Sequence, residues 1–143
     1  MKKIYIRDQQ QVQQMVEAGK EYFKSPITTI VNNALIDFQF NPQTQKNVFE
    51  LQWMDYNKQF EGTIKGALNS IQACIEDMKE LGFGRIINIG TNLFQNPVVA
   101  YHEYTTAKAA LIGFTRNMAK ELGAYGIAYI CLKSNGVITK LLR

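Results

Sequence analysis

Gly84-Arg-Ile-Ile-Asn-Ile-Gly-Thr91 and, beyond a loop holding Pro97, Tyr101-His-Glu-Tyr-Thr-Thr-Ala-Lys108 form the stretch whose reading decides the fold. The run from Arg85 to Gly90 is short, rich in β-branched residues and apolar at consecutive positions, which reads as a central strand buried on both faces. The spacing then predicts a helix from about Tyr101 to Leu122, with an apolar stripe at Ala107, Ala110, Leu111, Phe114, Met118 and Leu122. Gly123 to Gly126 ends that helix, and Ile127 to Leu132 reads as another strand.

Tyr104 and Lys108 stand four residues apart on the helix, so their side chains share a face. A free phenol has a pKa of roughly 10, and a neighbouring cation lowers it by favouring the phenolate. Such a tyrosine can exchange a proton with an alcohol or carbonyl. Thr91, at the strand end, offers a hydroxyl to the same oxygen. On spacing alone the pair also arises by chance in many helices.

Upstream, Ile4 to Arg7 alternates like a short strand and Asp8 is placed to cap a helix. Val12, Met15, Val16, Gly19, Tyr22 and Phe23 recur at helical spacing up to Ser25-Pro26. Ile27 to Val31 reads as the next strand, running into Asn32-Asn33-Ala34. Residues 36 to 50 read as a loop. Trp53, Tyr56, Phe60, Ile64, Ala67, Ile71, Cys74 and Met78 then trace one long helix ending near Gly82. Gly62, Gly66 and Ser70 make a small-residue seam along it, for which close approach of another helix is the expected cause, since an interior glycine costs about 1 kcal/mol against alanine.

The order predicts an α/β fold: an open parallel sheet of about four strands with three helices, in one domain spanning residues 1–143. Right-handed crossovers place the helices on one face of the sheet. The other face is then bare, whereas parallel sheets are normally covered on both, so a covering partner or a weakly stable product is expected. The net charge of +4 comes from scattered Lys and Arg without a stripe, which argues against nucleic acid. Cys74 and Cys131 lie in apolar runs without metal-ligand spacing, and the chain has no long apolar run, so buried thiols in a cytoplasmic protein without metal or membrane are expected.

Gly84 to Thr91, Tyr104-x-x-x-Lys108 and Ala109 to Gly123 together resemble the catalytic segment of the short-chain dehydrogenases/reductases, close to the 3-oxoacyl-acyl-carrier-protein reductase type. In that family a Ser stands 13 positions before the Tyr, where this chain has Thr91. The resemblance implies a partial Rossmann-type sheet, with Tyr104 as acid/base, Lys108 lowering its pKa and holding the ribose, and Thr91 orienting the substrate oxygen. It implies NADP or NAD as cofactor, contacted by Asn32, Asn33, Ala34, Tyr104 and Lys108. It also implies a carbonyl or acyl-thioester substrate and a homo-oligomer formed through the helices at 53–81 and 101–122.

The sequence departs from the family at several points. Leu35 stands where Asn-Asn-Ala-Gly has its glycine, and Phe60 replaces an Asn that relays protons to the lysine, with Asn57 one turn earlier as a possible substitute. Of the family's Asp-x-x-Asp only Asp8 remains, Tyr5 filling the first place. The ten glycines include no Gly-rich turn of the kind that places helix amides on a pyrophosphate, and the first βαβ unit is read as missing. The segment after Ser134 lacks the family's Pro-Gly turn. His102, two residues from Tyr104, is read as a surface residue. The alternative is therefore a non-catalytic remnant or oligomerising module.

Overall fold

The computed structural model describes residues 3–134. The expectations for the tail beyond Ser134 fall outside them. Helix α1 runs from Gln9 to Phe23 and strand β1 from Thr29 to Asn32. Helix α2 (Trp53–Phe60) passes through a π turn (Glu61–Lys65) into α3 (Gly66–Leu81), so the predicted second helix is one rod with a wider turn inside it. Strand β2 (Gly84–Thr91), helix α4 (His102–Leu122) and strand β3 (Ile127–Ser134) complete the described residues.

The three strands lie parallel in the order β1-β2-β3, with Val31 opposite Ile87 and Ile87 opposite Ile130. The α/β parallel architecture is as expected, with three strands among the described residues where about four were expected. Ile4 to Arg7 is no strand, because partners other than a neighbouring strand take its backbone groups. The Tyr5 amide donates to Gln11 Oε1, the Tyr5 carbonyl accepts from the Asp8 amide, and the Ile6 carbonyl accepts from Asn69 Nδ2. Asp8 caps α1 as predicted, accepting from the Gln11 amide at 3.0 Å.

Three helical units pack on one face of the sheet. Val16 of α1, Ile71, Cys74 and Met78 of α3 and Leu122 of α4 close over Ile86, Ile127 and Tyr129. Burial of the Cys74 thiol among them pushes its pKa up to about 11. A Lys20–Asp77 ion pair at 2.7 Å joins α1 to α3. The chain reverses at Gly82 and again at Gly126, both in the left-handed region at φ 61° and 73°, and a Cβ on Gly126 would come within 2.2 Å of the Gly82 carbonyl oxygen.

The small-residue seam has a different cause from the one expected. A Cβ on Gly62 would strike Ile36, and one on Gly66 would crowd Ile6, so the seam receives two isoleucines from irregular segments and not a helix. Ser70 turns its hydroxyl inward to the Gly66 carbonyl at 3.0 Å. On the opposite face of the sheet, Val31, Ile87, Ile130, Ile89 and Leu132 fall in adjacent register rows, and none of the described helices covers them. Among the described residues no helix is long and apolar enough to cross a membrane.

Candidate active site

Strand β2 ends in Thr91, buried, and its hydroxyl accepts from the Leu93 amide at 3.3 Å as the chain leaves the sheet. Helix α4 begins eleven residues later, which sets Tyr104 in its first turn and Lys108 one turn further in. The helix lies over β2, so the phenol and the ammonium both come down onto the strand end that carries Thr91. Sequence spacing thus brings the three residues together as expected.

Their electrostatics differ from the simplest reading of a Tyr-Lys pair. Tyr104 is only 8% exposed, and burial raises its phenol above the usual value, with the adjacent Thr91 hydroxyl lowering it by less. Lys108 Nζ lies 6.0 Å from the Tyr104 ring centroid and donates instead to the Ile89 carbonyl. Burial draws the ammonium below its usual pKa. At the Tyr104 phenol burial outweighs the hydrogen bond from Thr91.

Of the residues expected to contact a nucleotide, Asn32, Asn33, Ala34 and Lys108 line one cavity of about 280 Å³ between β1, α1 and α3. Tyr104 is not among its walls. The remaining lining is largely apolar, with Val12, Val16 and Leu111 among its residues. Asn32 also has an internal task, donating from Nδ2 to Asn88 Oδ1 at 2.9 Å. Lys108, on the wall of this cavity, is already engaged with the Ile89 carbonyl. The sequence has no Gly-rich turn for the pyrophosphate end.

Three residues that matter here escaped the sequence reading. Asn88, fully buried in mid-strand, accepts from Asn32 and donates to Thr115 Oγ1 at 2.9 Å and Tyr129 Oη at 3.0 Å, tying all three strands to α4. Its signal was a lone amide inside an isoleucine run. Phe38 stacks on Tyr104 with ring centroids 4.8 Å apart and Phe40 meets the same ring edge-on at 5.1 Å. Their signal was two alternating aromatics in a segment otherwise reading as a polar loop. Phe60 packs against Trp53 at 6.4 Å, and His102 is half-buried, its carbonyl accepting from the Thr106 hydroxyl. Among the described residues no cluster of His, Cys, Asp or Glu is suited to a metal ion.

Comparison with known proteins places this arrangement. The family model for short chain dehydrogenase matches residues 2–143. The chain is 27% identical to the NADPH-dependent aldehyde reductase 2, chloroplastic, of Arabidopsis thaliana, over 95% of this chain and 48% of that protein. It is 29% identical to the 3-oxoacyl-acyl-carrier-protein reductase FabG of Haemophilus influenzae, over 85% of this chain and 48% of the other. The fold superposes on sorbitol-6-phosphate 2-dehydrogenase from Erwinia amylovora with a TM-score of 0.79 at 21% identity, covering 92% of this chain and 49% of that one. The chain spans about half the length of the curated relatives it matches. With a family match over nearly its whole length and the strand, helix and Thr-Tyr-Lys order described above, the chain belongs to the short chain dehydrogenases.

Proposed function

We propose that the protein acts as an oxidoreductase, moving hydride between NADP(H) and a carbonyl or alcohol, with 3-oxoacyl thioesters as the substrate class. The observation that carries this reading is the convergence of Thr91, Tyr104 and Lys108 at the end of β2. A relative named for NADPH and another named for a 3-oxoacyl substrate support the cofactor and the substrate class.

When bound, the nicotinamide supplies the hydride. Tyr104 gives its phenol proton to the carbonyl oxygen on reduction, becoming the phenolate, and as the phenolate takes the alcohol proton on oxidation. Thr91 orients the same oxygen by a hydrogen bond. Lys108, with Asn33 and Ala34, holds the nucleotide sugar from the cavity wall. Asn32 and Asn88 keep that wall in register. The two free thiols, one buried and one half-buried, suit a reducing compartment such as the cytoplasm. Val48, Phe49, Trp53 and Met54, at and just before the head of α2, are exposed apolar residues, which supports pairing of copies through the helices at 53–81 and 101–122.

A second reading, a non-catalytic oligomerising piece, is favoured by the bare apolar face of the sheet. Titration of the purified chain with NADPH and NADH, following nucleotide fluorescence and thermal midpoint, separates the two. On the first reading a hundredfold excess over Kd stabilises the chain by about 2.7 kcal/mol. Tyr104→Phe then keeps binding and loses turnover by about 10²–10⁴-fold. Absence of saturable binding up to millimolar nucleotide leaves the second reading standing.

A further inference from the structure

We propose that the segment from Ile36 to Lys46 is a hinged aromatic strap that seals Tyr104 from solvent and has to swing aside before any molecule reaches its phenol. The strap is anchored at one end. The Ile36 carbonyl accepts from the buried Gln59 Nε2 at 2.8 Å, and the Ile36 side chain fills the space that the absent Cβ of Gly62 leaves.

The next residue, Asp37, has φ 43°, a left-handed conformation that a non-glycine residue rarely takes. It marks the bend where the chain leaves the anchor. Beyond it Phe38 lies almost parallel to the Tyr104 ring, at an interplanar angle of 21°, while Phe40 stands edge-on to both Tyr104 and Tyr101. Two aromatic rings thus cover two tyrosines, and both tyrosines are buried although they lie in the first turn of α4 and at its cap.

The far end is held by polar side-chain contacts, one exposed and one part-buried. Lys46 Nζ donates to both carboxylate oxygens of Asp55 at 2.7 and 2.9 Å, and Gln45 Nε2 donates to Glu103 at 3.1 Å. The Lys46–Asp55 pair is exposed to solvent, and ion pairs of that kind hold weakly and reform readily. A firm anchor, a strained bend, an apolar cover and a weak latch together describe a segment that opens from its Lys46 end. The low-stability elements of a fold are those with few buried contacts and exposed hydrogen bonds, and the latch has that character.

The proposal goes beyond the reading of Tyr104 as proton donor, and its test reads the strap whether or not the chain turns over a substrate. Tetranitromethane nitration at fixed pH, mapped by peptide mass spectrometry, reports each tyrosine separately. Tyr22, 82% exposed, is the open reference, and Tyr129, buried in the core away from the strap, reports global unfolding. In the unaltered chain Tyr104 and Tyr101 react at about a tenth of the Tyr22 rate or less, as expected for groups reached by local opening. Phe38→Ala raises both about tenfold, and Lys46→Ala, which frees only the latch, raises both about threefold, with Tyr129 unchanged. Tyr104 reacting as fast as Tyr22 in the unaltered chain overturns the proposal. So does a Tyr104 rate unchanged by both substitutions. If Phe38→Ala also exposes Tyr129, the core has opened and Lys46→Ala decides: a rise confined to Tyr101 and Tyr104 supports the strap, and no rise rejects it.

Discussion

The two faces of the three-stranded sheet are built from the same residue types and differ in what lies on them. On one, Ile30, Ile86 and Tyr129 form a register row beneath α1, α3 and α4. On the other, the next row is Val31, Ile87 and Ile130, and two of those three are 57% and 46% exposed. The two crossovers between the described strands, through α2–α3 and through α4, account for part of the asymmetry, since strands added in one direction send each connecting helix back over the same face, where α1 joins them. Strand composition records burial on both faces, while the described part of the chain supplies cover for one.

The largest expected contrast between the faces is in stability. Met78 is fully buried in the core cluster that also holds Ile86 and Ile127, and its sulfur lies where a Cβ on Gly84 would fall. Met78→Ala is expected to lower the unfolding free energy by about 2–5 kcal/mol. Ile130→Ala, on the bare face, is expected to change it by no more than about 0.5 kcal/mol. Urea midpoints of the two variants at equal slope check both, and equal losses would mean that the second face is covered in solution.

A smaller effect separates apolar packing from the polar cross-tie on the covered face. Asn88→Ala removes the partner of Asn32, Thr115 and Tyr129 at once, in a region where burial raises the Tyr129 phenol to about 12. Groups left buried without partners are expected to make the loss about 1–3 kcal/mol. Asn88→Leu, which fills the volume and offers no polar atom, would lose as much if pairing is what matters and little if shape is. Urea unfolding of the two variants reads the difference.

How far the sequence foretells these features depends on the range of the interactions that make them. The core strand Arg85–Gly90, the cap at Asp8 and the Tyr104/Lys108 face arise from local pattern and are read correctly from it. The strand expected at Ile4–Arg7 fails because a ladder needs a partner, and Asn69, some sixty residues away, claims the Ile6 carbonyl instead. The seam at Gly62 and Gly66 announces a close approach, but which residue approaches is decided by loops that carry no periodic signal. The same holds at the site. Tyr104, Lys108 and Thr91 are legible as a group, yet Phe38 and Phe40 also lie against the Tyr104 ring, and only the fold brings those rings onto it.

The smallest expected stability change carries the most information about the bare face. Ile130→Lys puts a charge at the end of the Val31–Ile87–Ile130 row, where the side chain projects into solvent in the described structure. An exposed apolar patch of this kind marks an association surface or an aggregation hazard, and a charge there opposes association without disturbing the core. The urea midpoint is therefore expected to move by no more than about 0.5 kcal/mol, while sedimentation shifts toward the monomer if copies meet through this face. A monomer shift with Ile130→Lys and none with Trp53→Lys would put self-association on the sheet and take it away from the long helices. The reverse result would leave the sheet face to a partner other than a second copy, because a surface that tolerates a charge in the isolated chain and contributes nothing to self-association is still too apolar to be water's alone.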